Sequence, residues 1–240
     1  MSKPLSRHDG RPADGLRPIR LERGAVPYAE GSCLVSFGNT RVLCAASVQE
    51  GVPGWRRGAG EGWVTAEYSM LPRATQQRTQ RERGQVGGRT QEIQRLIGRS
   101  LRSCVALDAL GDWTIRIDCD VLQADGGTRT AAVTGGAVAL YDACLWIVRR
   151  SKSTRSAFQG FVAAVSAGIV GGHVLLDLDY SEDSEAEVDL NVVGSAGGRL
   201  IEVQGTGERG TFTAEQLSSM VGVASTSIER LIAEQQACVQ

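Results

Sequence analysis

The sequence predicts an α+β fold made of two halves, each of which combines antiparallel strands with helices. Three observations predict it. Residues 32–48 have the pattern of a hairpin, residues 90–148 contain two helical segments around one alternating strand, and residues 160–204 contain four β-prone runs before a final helix. Because strands and helices are close neighbours along both halves, we expect one compact domain over residues 1–240.

A hairpin and a loop begin the first half. The two β-prone runs, residues 32–37 and 40–48, are joined by Gly38-Asn39, which favours a tight turn. Residues 51–62 contain five Gly and one Pro and are predicted to form a loop, and residues 63–68 a short strand.

A polar segment, residues 72–88, comes next. It is rich in Arg and Gln and has no apolar period, so we interpret it as a mobile or partner-dependent loop. Thr90 then begins a helix with one apolar face, formed by Ile93, Leu96, Ile97, Leu101, Cys104 and Val105. Its opposite face carries Arg95, Arg99 and Arg102, which are either solvated or part of an oligomer contact.

One strand and a long helix complete this half, and the second half follows. Residues 112–122 alternate between apolar and polar side chains, and the turn Asp125-Gly126-Gly127 leads into a helix from Thr128 to Val148. The second half is predicted to have strands at residues 160–170, 173–180, 187–193 and 199–204. Thr213 and Gln216 form a capping box that begins the last helix.

The charge is distributed unevenly. The formal net charge is −1, and 24 of the 26 basic residues are Arg. Residues 73–102 contain eight Arg against two acids, whereas residues 177–189 contain seven acids and no base. This pattern excludes a uniformly basic coat protein but allows a nucleic-acid binder with one basic patch.

Cysteine and histidine usage and the N-terminal region indicate a cytoplasmic protein without a zinc site. The six Cys include no CxxC pair and most lie in apolar segments, so we expect buried reduced thiols. There are only two His. No apolar run approaches the roughly 20 residues that span a bilayer, and residues 1–23 lack a signal-peptide core, so no membrane partner is expected.

Two glycine-containing helix starts are candidate anion sites. In the segment Asp125-Gly126-Gly127-Thr128-Arg129-Thr130, free helix N–H groups, a hydroxyl and a guanidinium all suit an anion. The alternative is an ordinary glycine turn with Thr128 as the N-cap. Gly87-Gly88-Arg89-Thr90 is similar, but its spacing and its Arg do not fit a P-loop.

Two charged segments are further candidates. If the acidic stretch were extended, Asp183 and Asp189 would lie about 20 Å apart, so a shared Mg²⁺ requires a turn at residues 184–186; a solvated loop is the alternative. The Arg- and Gln-rich loop within residues 72–88 has no aromatic residues, which favours contact with an RNA backbone over base stacking. A solvated surface or a subunit interface is equally compatible with its arginines, Arg73, Arg78, Arg81 and Arg83.

The segments together resemble the ribonuclease PH family, bacterial phosphorolytic 3′→5′ exoribonucleases. The matching motifs run in family order: DGR at 9–11, AEGS at 29–32, GWVTAEYSMLPR at 62–73, GRTQEIQRLIGRSLR at 88–102, DCDVLQADGGTRT at 118–130, YSEDS at 180–184, DLNVV at 189–193 and IEVQGT at 201–206. Each motif alone is weak, but the ordered combination is specific to the family.

The resemblance implies a ribosomal-protein-like βαβ fold, a cytoplasmic homo-hexamer built as a trimer of dimers, and tRNA precursors and other RNA 3′ ends as substrates. Inorganic phosphate would be the co-substrate and Mg²⁺ the cofactor, with nucleoside diphosphates as products and nucleotide addition as the reverse reaction. The implied phosphate site is Arg89, Gly127, Thr128 and Arg129, and the implied catalytic and metal-binding pair is Asp183 and Asp189.

Two other classes of function remain possible on the sequence. One is a non-catalytic ring subunit that binds RNA, although such subunits often lose the phosphate arginine or the acidic pair, and this chain has both. The other is a hydrolytic nuclease, which would activate water and would not need a dedicated phosphate site.

Overall fold

The computed structural model describes residues 7–82, 84–151 and 155–240, which form two β-sheets and five α-helices. The strands are β1 (Ile19–Arg23), β2 (Gly31–Phe37), β3 (Thr40–Glu50), β4 (Trp63–Met70), β5 (Trp113–Gln123), β6 (Val162–Val170), β7 (His173–Leu176), β8 (Val188–Ser195) and β9 (Arg199–Thr206). The helices are α1 (Gly88–Arg102), α2 (Leu107–Leu110), α3 (Thr128–Ser151), α4 (Tyr180–Glu185) and α5 (Ala214–Val239). The α+β class predicted from the sequence is confirmed.

The first sheet has the strand order β1-β2-β3-β5-β4. Only the β4–β5 pair is parallel, and the other neighbours are antiparallel. The predicted hairpin is confirmed as β2 and β3, with Phe37 paired to Thr40 across the turn. The short edge strand β1 and the single-turn helix α2 were not predicted, because neither has enough residues for a clear period.

The second sheet is antiparallel throughout and has the order β7-β6-β8-β9. Strand β6 lies between β7 and β8 and is buried along nearly its whole length, and helices α3 and α5 contact it. The four predicted strands of this half are present, three of them within two residues of their expected ends.

Helix α3 lies between the two sheets. It contacts β2, β3 and β5 of the first sheet and β6 and β8 of the second. By length and composition it could cross a membrane, a property that the sequence analysis did not expect, but 72% of its most apolar window is buried inside the protein. A core helix between two sheets must be apolar on nearly all sides, which explains that composition.

The two other long helices cover the outside of this core. Helix α1 packs on β4 and α3 with the predicted apolar face, and it begins at Gly88, two residues earlier than expected. Arg102 is not simply solvated, because its guanidinium donates to the Val64 carbonyl at 2.9 Å and lies over the Trp63 ring. Helix α5 begins with the predicted capping box, in which both hydrogen bonds form.

The second predicted strand of the second half, residues 173–180, was wrong at its end. Strand β7 stops at Leu176, and Asp177 has a φ of 51°, in the left-handed region. Asp179 then caps α4, and its carboxylate accepts hydrogen bonds from the N–H groups of Ser181 and Glu182. This second capping box was not predicted, because residues 173–180 were predicted as a strand and the acidic residues after it as a turn or a solvated loop.

The cysteine prediction is confirmed. All six thiols are free, and five are buried. Burial raises the pKa of Cys33 and of Cys144 to about 12, so these thiols stay protonated and unreactive at neutral pH.

Candidate functional site

A glycine turn, residues 125–127, joins β5 to α3 at the edge between the two sheets. Gly126 and Gly127 both have positive φ, 73° and 66°. A Cβ on Gly126 would lie 2.5 Å from the Leu178 carbonyl oxygen, so only glycine permits this close approach. The turn therefore brings the N-terminus of α3 against the chain that leads into α4.

A buried ion pair supports the glycine turn from behind. The Arg17 guanidinium donates to both carboxylate oxygens of Asp177, at 2.7 and 3.0 Å. It also donates to the carbonyl of Asp125. Asp177 is fully buried and Arg17 is 5% exposed, so the pair fixes the turn from inside the protein.

The first residues of α3 direct polar groups to the surface of the turn. Thr128 is the first helical residue, and its hydroxyl shares a 2.8 Å hydrogen bond with the buried Tyr68 hydroxyl. Thr128 is therefore not the ordinary N-cap considered as the alternative. Arg129 is partly exposed and donates to Glu92 at 3.4 Å, a long contact that leaves most of its guanidinium available.

A cleft of about 240 Å³ brings the predicted residues together. Its lining contains every residue of the predicted phosphate site and both acidic residues: Arg89, Gly127, Thr128, Arg129, Asp183 and Asp189. These come from α1, α3, α4 and β8, so the second half of the chain supplies the acids and the first half the cations and N–H groups. The two predicted helix starts do meet at one site.

The acidic pair, Asp183 and Asp189, occupies one wall of this cleft. The predicted turn between them exists, because α4 ends at Glu185 and β8 begins at Val188. Burial and, to a smaller extent, the charge of Asp183 raise the pKa of Asp189 to about 6. Burial likewise raises the pKa of Asp183, and Glu208 adds to that effect. Two carboxylates that disfavour each other's ionisation form a site that suits a cation.

The donor chemistry of this wall fits a hard divalent cation. The Asn191 side chain donates to Asp189 Oδ2 at 3.2 Å, which orients that carboxylate. In the part of the chain that the structure describes, no arginine forms a direct ion pair with Asp183 or Asp189. Mg²⁺ is bound by one or two carboxylates of this kind and keeps several waters.

Residues outside the predicted set also belong to the site. Tyr68 holds Thr128, Asn191 orients Asp189, and Glu208 contributes negative charge near both acids. Tyr68 and Asn191 lie within the matching motifs, so the sequence contained a signal for them. Arg17 lies outside those motifs, and its partner Asp177 is 160 residues away in the chain, so no local pattern could have identified the pair.

The arginine loop, residues 72–82, borders the cleft. Its base is anchored, because Ala74 is buried and its carbonyl accepts from the Ala124 N–H at 2.8 Å. The predicted arginines Arg73, Arg78 and Arg81 are exposed, and none of them lines the cleft itself. The fourth predicted arginine, Arg83, lies outside the described residues.

Another group of potential metal ligands lies beside α4. One ligand atom from each of His8, Asp179 and Glu182 falls within 4.8 Å of the others. However, Arg7 donates to both carboxylate oxygens of Glu182, at 2.7 and 2.6 Å. A carboxylate that is already paired with a buried guanidinium is a poor cation ligand, so this group is structural.

The fold and this site define the class of the protein. Residues 15–145 match the model of domain 1 of the 3′ exoribonuclease family, and residues 160–227 match the model of domain 2. The two models correspond to the two halves of the structure. An exosome structure from Archaeoglobus fulgidus with RNA bound to its active site has a TM-score of 0.83 at 22% identity, covering 95% of this chain and 92% of that one. Rice (Oryza sativa) Rrp46 has a TM-score of 0.78 at 21% identity, covering 96% of this chain and 98% of that one.

Curated relatives narrow the class further. A ribonuclease PH from Methylobacterium radiotolerans is 58% identical over 231 residues, covering 95% of this chain and 98% of the relative. A ribonuclease PH from Mycolicibacterium smegmatis is 57% identical over 228 residues, covering 94% of this chain and 88% of the relative. The chain belongs to the ribonuclease PH family and is a phosphate-dependent 3′→5′ exoribonuclease.

Proposed function

We propose that the cleft carries out phosphorolysis of RNA 3′ ends, with Arg89 and residues 127–129 binding inorganic phosphate. The observation that carries this proposal is the meeting of both predicted anion sites and the acidic pair in one cleft. The helix N-terminus of α3 supplies N–H groups and a positive dipole end, and the two guanidiniums supply charge-assisted hydrogen bonds.

The reaction begins with attack by a phosphate oxygen on the phosphorus of the last phosphodiester. A new P–O bond forms, and the bond between phosphorus and the 3′ oxygen of the penultimate nucleotide breaks. The products are a nucleoside 5′-diphosphate and an RNA one nucleotide shorter. Arg89 and Arg129 stabilise the charge on the phosphoryl oxygens, which dominates the catalysis of such transfers. The reverse reaction adds nucleotides from diphosphates.

Asp183 and Asp189 would hold Mg²⁺ in this proposal. When bound, the ion would supply charge neutralisation for the phosphoryl oxygens. Asp183 is our candidate to protonate the leaving 3′ oxygen, because it lines the same cleft as the proposed phosphate site and burial raises its pKa from the ordinary value.

The RNA approaches along the arginine loop. Its exposed guanidiniums, including Arg78 and Arg81, suit contact with several phosphates of the backbone. We propose tRNA precursors and other RNA 3′ ends as the substrates, a cytoplasmic location, and a homo-hexameric ring built as a trimer of dimers. The structural likeness to an exosome chain supports the ring, because the fold is shared.

One assay tests the proposed function. RNA is incubated with Mg²⁺ in the presence and absence of inorganic phosphate, and the products are identified by chromatography. We expect nucleoside diphosphates only when phosphate is present. Monophosphates formed without phosphate would mean hydrolysis, and no products would mean a scaffold subunit. Light scattering of the same preparation measures whether the particle has six subunits.

A further inference from the structure

A second cleft, which we name the side cleft, adjoins the first. It has a volume of about 420 Å³ and shares Thr75, Ala124 and Tyr180 with the catalytic cleft. Its remaining lining comes from the arginine loop and from the glycine turn: Gln76, Gln77, Arg78, Thr79 and Asp125. Because Thr75, Ala124 and Tyr180 line both clefts, the two clefts are direct neighbours, and one ligand can occupy both.

Tyr180 forms one wall of the side cleft and is 60% exposed. Its backbone is held firmly, because Asp179 caps the helix that Tyr180 begins and Arg7 binds both carboxylate oxygens of Glu182 in that helix. The Tyr180 N–H also donates to Asp125 Oδ1 at 3.4 Å. An aromatic ring that is exposed on a well-anchored backbone is suited to stacking with a planar ligand.

Most of the remaining lining of the side cleft is polar and belongs to the arginine loop. The Gln76 and Gln77 amides can each donate and accept hydrogen bonds, so they can pair with the edge of any nucleobase. The loop is turned toward the cleft by two hydrogen bonds, from the Thr79 N–H to the Pro72 carbonyl at 2.9 Å and from the Thr75 hydroxyl to the Gln77 carbonyl at 2.6 Å. An aromatic ring and side-chain amides that line the same cleft suit a planar base.

We infer that the side cleft binds the base of the RNA 3′-terminal nucleotide, stacked on Tyr180, and binds the same base in the nucleoside diphosphate. This inference rests on the proposed function. If phosphate binds at residues 127–129, the two phosphates of the diphosphate lie in the catalytic cleft. The nucleoside of the bound diphosphate must then extend into a neighbouring space. The side cleft is such a space, and stacking on a tyrosine accepts all four bases, as a general exonuclease requires.

The test uses ADP and inorganic phosphate as separate probes. Dissociation constants are measured by calorimetry for the full-length wild type, Tyr180→Ala, Tyr180→Leu and Tyr180→Phe. Tyr28→Ala is the matched control, because Tyr28 is 97% exposed in the loop between β1 and β2 and lines neither cleft. Tyr180→Leu keeps an apolar side chain without an aromatic face, and circular dichroism checks that every variant is folded.

We expect Tyr180→Ala and Tyr180→Leu to weaken ADP binding by about ten- to hundredfold, the loss that corresponds to one base stack. Tyr180→Phe and Tyr28→Ala should stay within about twofold of wild type, and the affinity for inorganic phosphate should not change in any variant. Unchanged ADP binding in Tyr180→Ala would overturn the inference. A loss of affinity for long RNA without a loss of affinity for ADP would also overturn it, because an upstream nucleotide would then occupy the side cleft.

The inference and the proposed function fail in distinguishable ways. If the wild type releases diphosphates in the presence of phosphate but Tyr180→Ala binds ADP normally, only the inference is wrong. If the wild type releases no diphosphates and binds neither probe, the proposed function is wrong as well.

Discussion

The glycine turn and the arginine loop both border the catalytic cleft, yet they are held in different ways. The turn is fixed by the Arg17–Asp177 pair, which is almost fully excluded from solvent. The loop is anchored at its base by Ala74 and lies at the protein surface, where its arginines Arg73, Arg78 and Arg81 are exposed. The comparison indicates that the group proposed to bind phosphate is preorganised, whereas the group proposed to contact RNA is free to adapt to different sequences.

The largest expected effect concerns the support of the turn. Arg17→Ala leaves Asp177 buried without its partner, so the free energy of unfolding should fall by about 3–5 kcal/mol in urea titrations. Arg20→Ala on β1 is the control, because the exposed Arg20–Glu22 pair should contribute less than about 1 kcal/mol. Similar small losses in both variants would show that the turn is not held by this ion pair.

The second effect concerns the phosphate site directly. Arg129→Ala removes a guanidinium from the catalytic cleft, and we expect kcat/KM for inorganic phosphate to fall by about 10²–10³. Arg150→Ala serves as the control, because it lies at the other end of α3, roughly 30 Å away, and should leave the kinetics unchanged. Wild-type turnover of Arg129→Ala at limiting phosphate would contradict the assignment.

The third effect concerns the acidic pair and depends on pH. The pKa of Asp189 is raised to about 6 in the folded protein, so between pH 4 and 6 the folded state binds more protons than the unfolded state. The stability of metal-free wild type should therefore decrease as pH rises through this window. Asp189→Asn lacks this decrease and should be more stable by about 1–3 kcal/mol at pH 8, with no difference near pH 3.5.

Mg²⁺ provides the complementary measurement for the acidic pair. Thermal unfolding at pH 8 should show that added Mg²⁺ stabilises the wild type and has little effect on a variant lacking both carboxylates, Asp183→Asn with Asp189→Asn. Equal stabilisation of both proteins by Mg²⁺ would reject the metal role of these residues.

The smallest effect concerns the arginine loop. Arg78→Ala should change the free energy of unfolding by less than about 0.5 kcal/mol, because the side chain is exposed. RNA binding measured at several salt concentrations should show a log–log slope that is smaller by about 0.7, the loss of one phosphate contact to a single strand. A collapse of stability in this variant would mean that the loop is as firmly held as the glycine turn.

Local sequence patterns predicted most of the fold for an identifiable reason. Helix α1 and the β2–β3 hairpin have apolar residues at the period of their own secondary structure, so their burial could be predicted without tertiary information. The same method failed at α4, where a capping box in an acidic run ended β7 early. Local patterns also could not predict that Tyr180 lies in a cleft with residues of the arginine loop, because Tyr180 is about 100 residues away from that loop in the sequence.

The sequence by itself determined the α+β class and the family resemblance, and it supplied the prediction of the phosphate-site residues and the acidic pair, because each of these depends on local spacing or on motifs in a fixed order. Only the tertiary structure decided that Arg17 supports the glycine turn, that Asp183 and Asp189 line the same cleft as Arg129, and that Tyr180 lines a cleft with residues of the arginine loop. The physical reason is that burial, charge coupling and shared clefts join residues far apart in the chain, and no local period records those contacts.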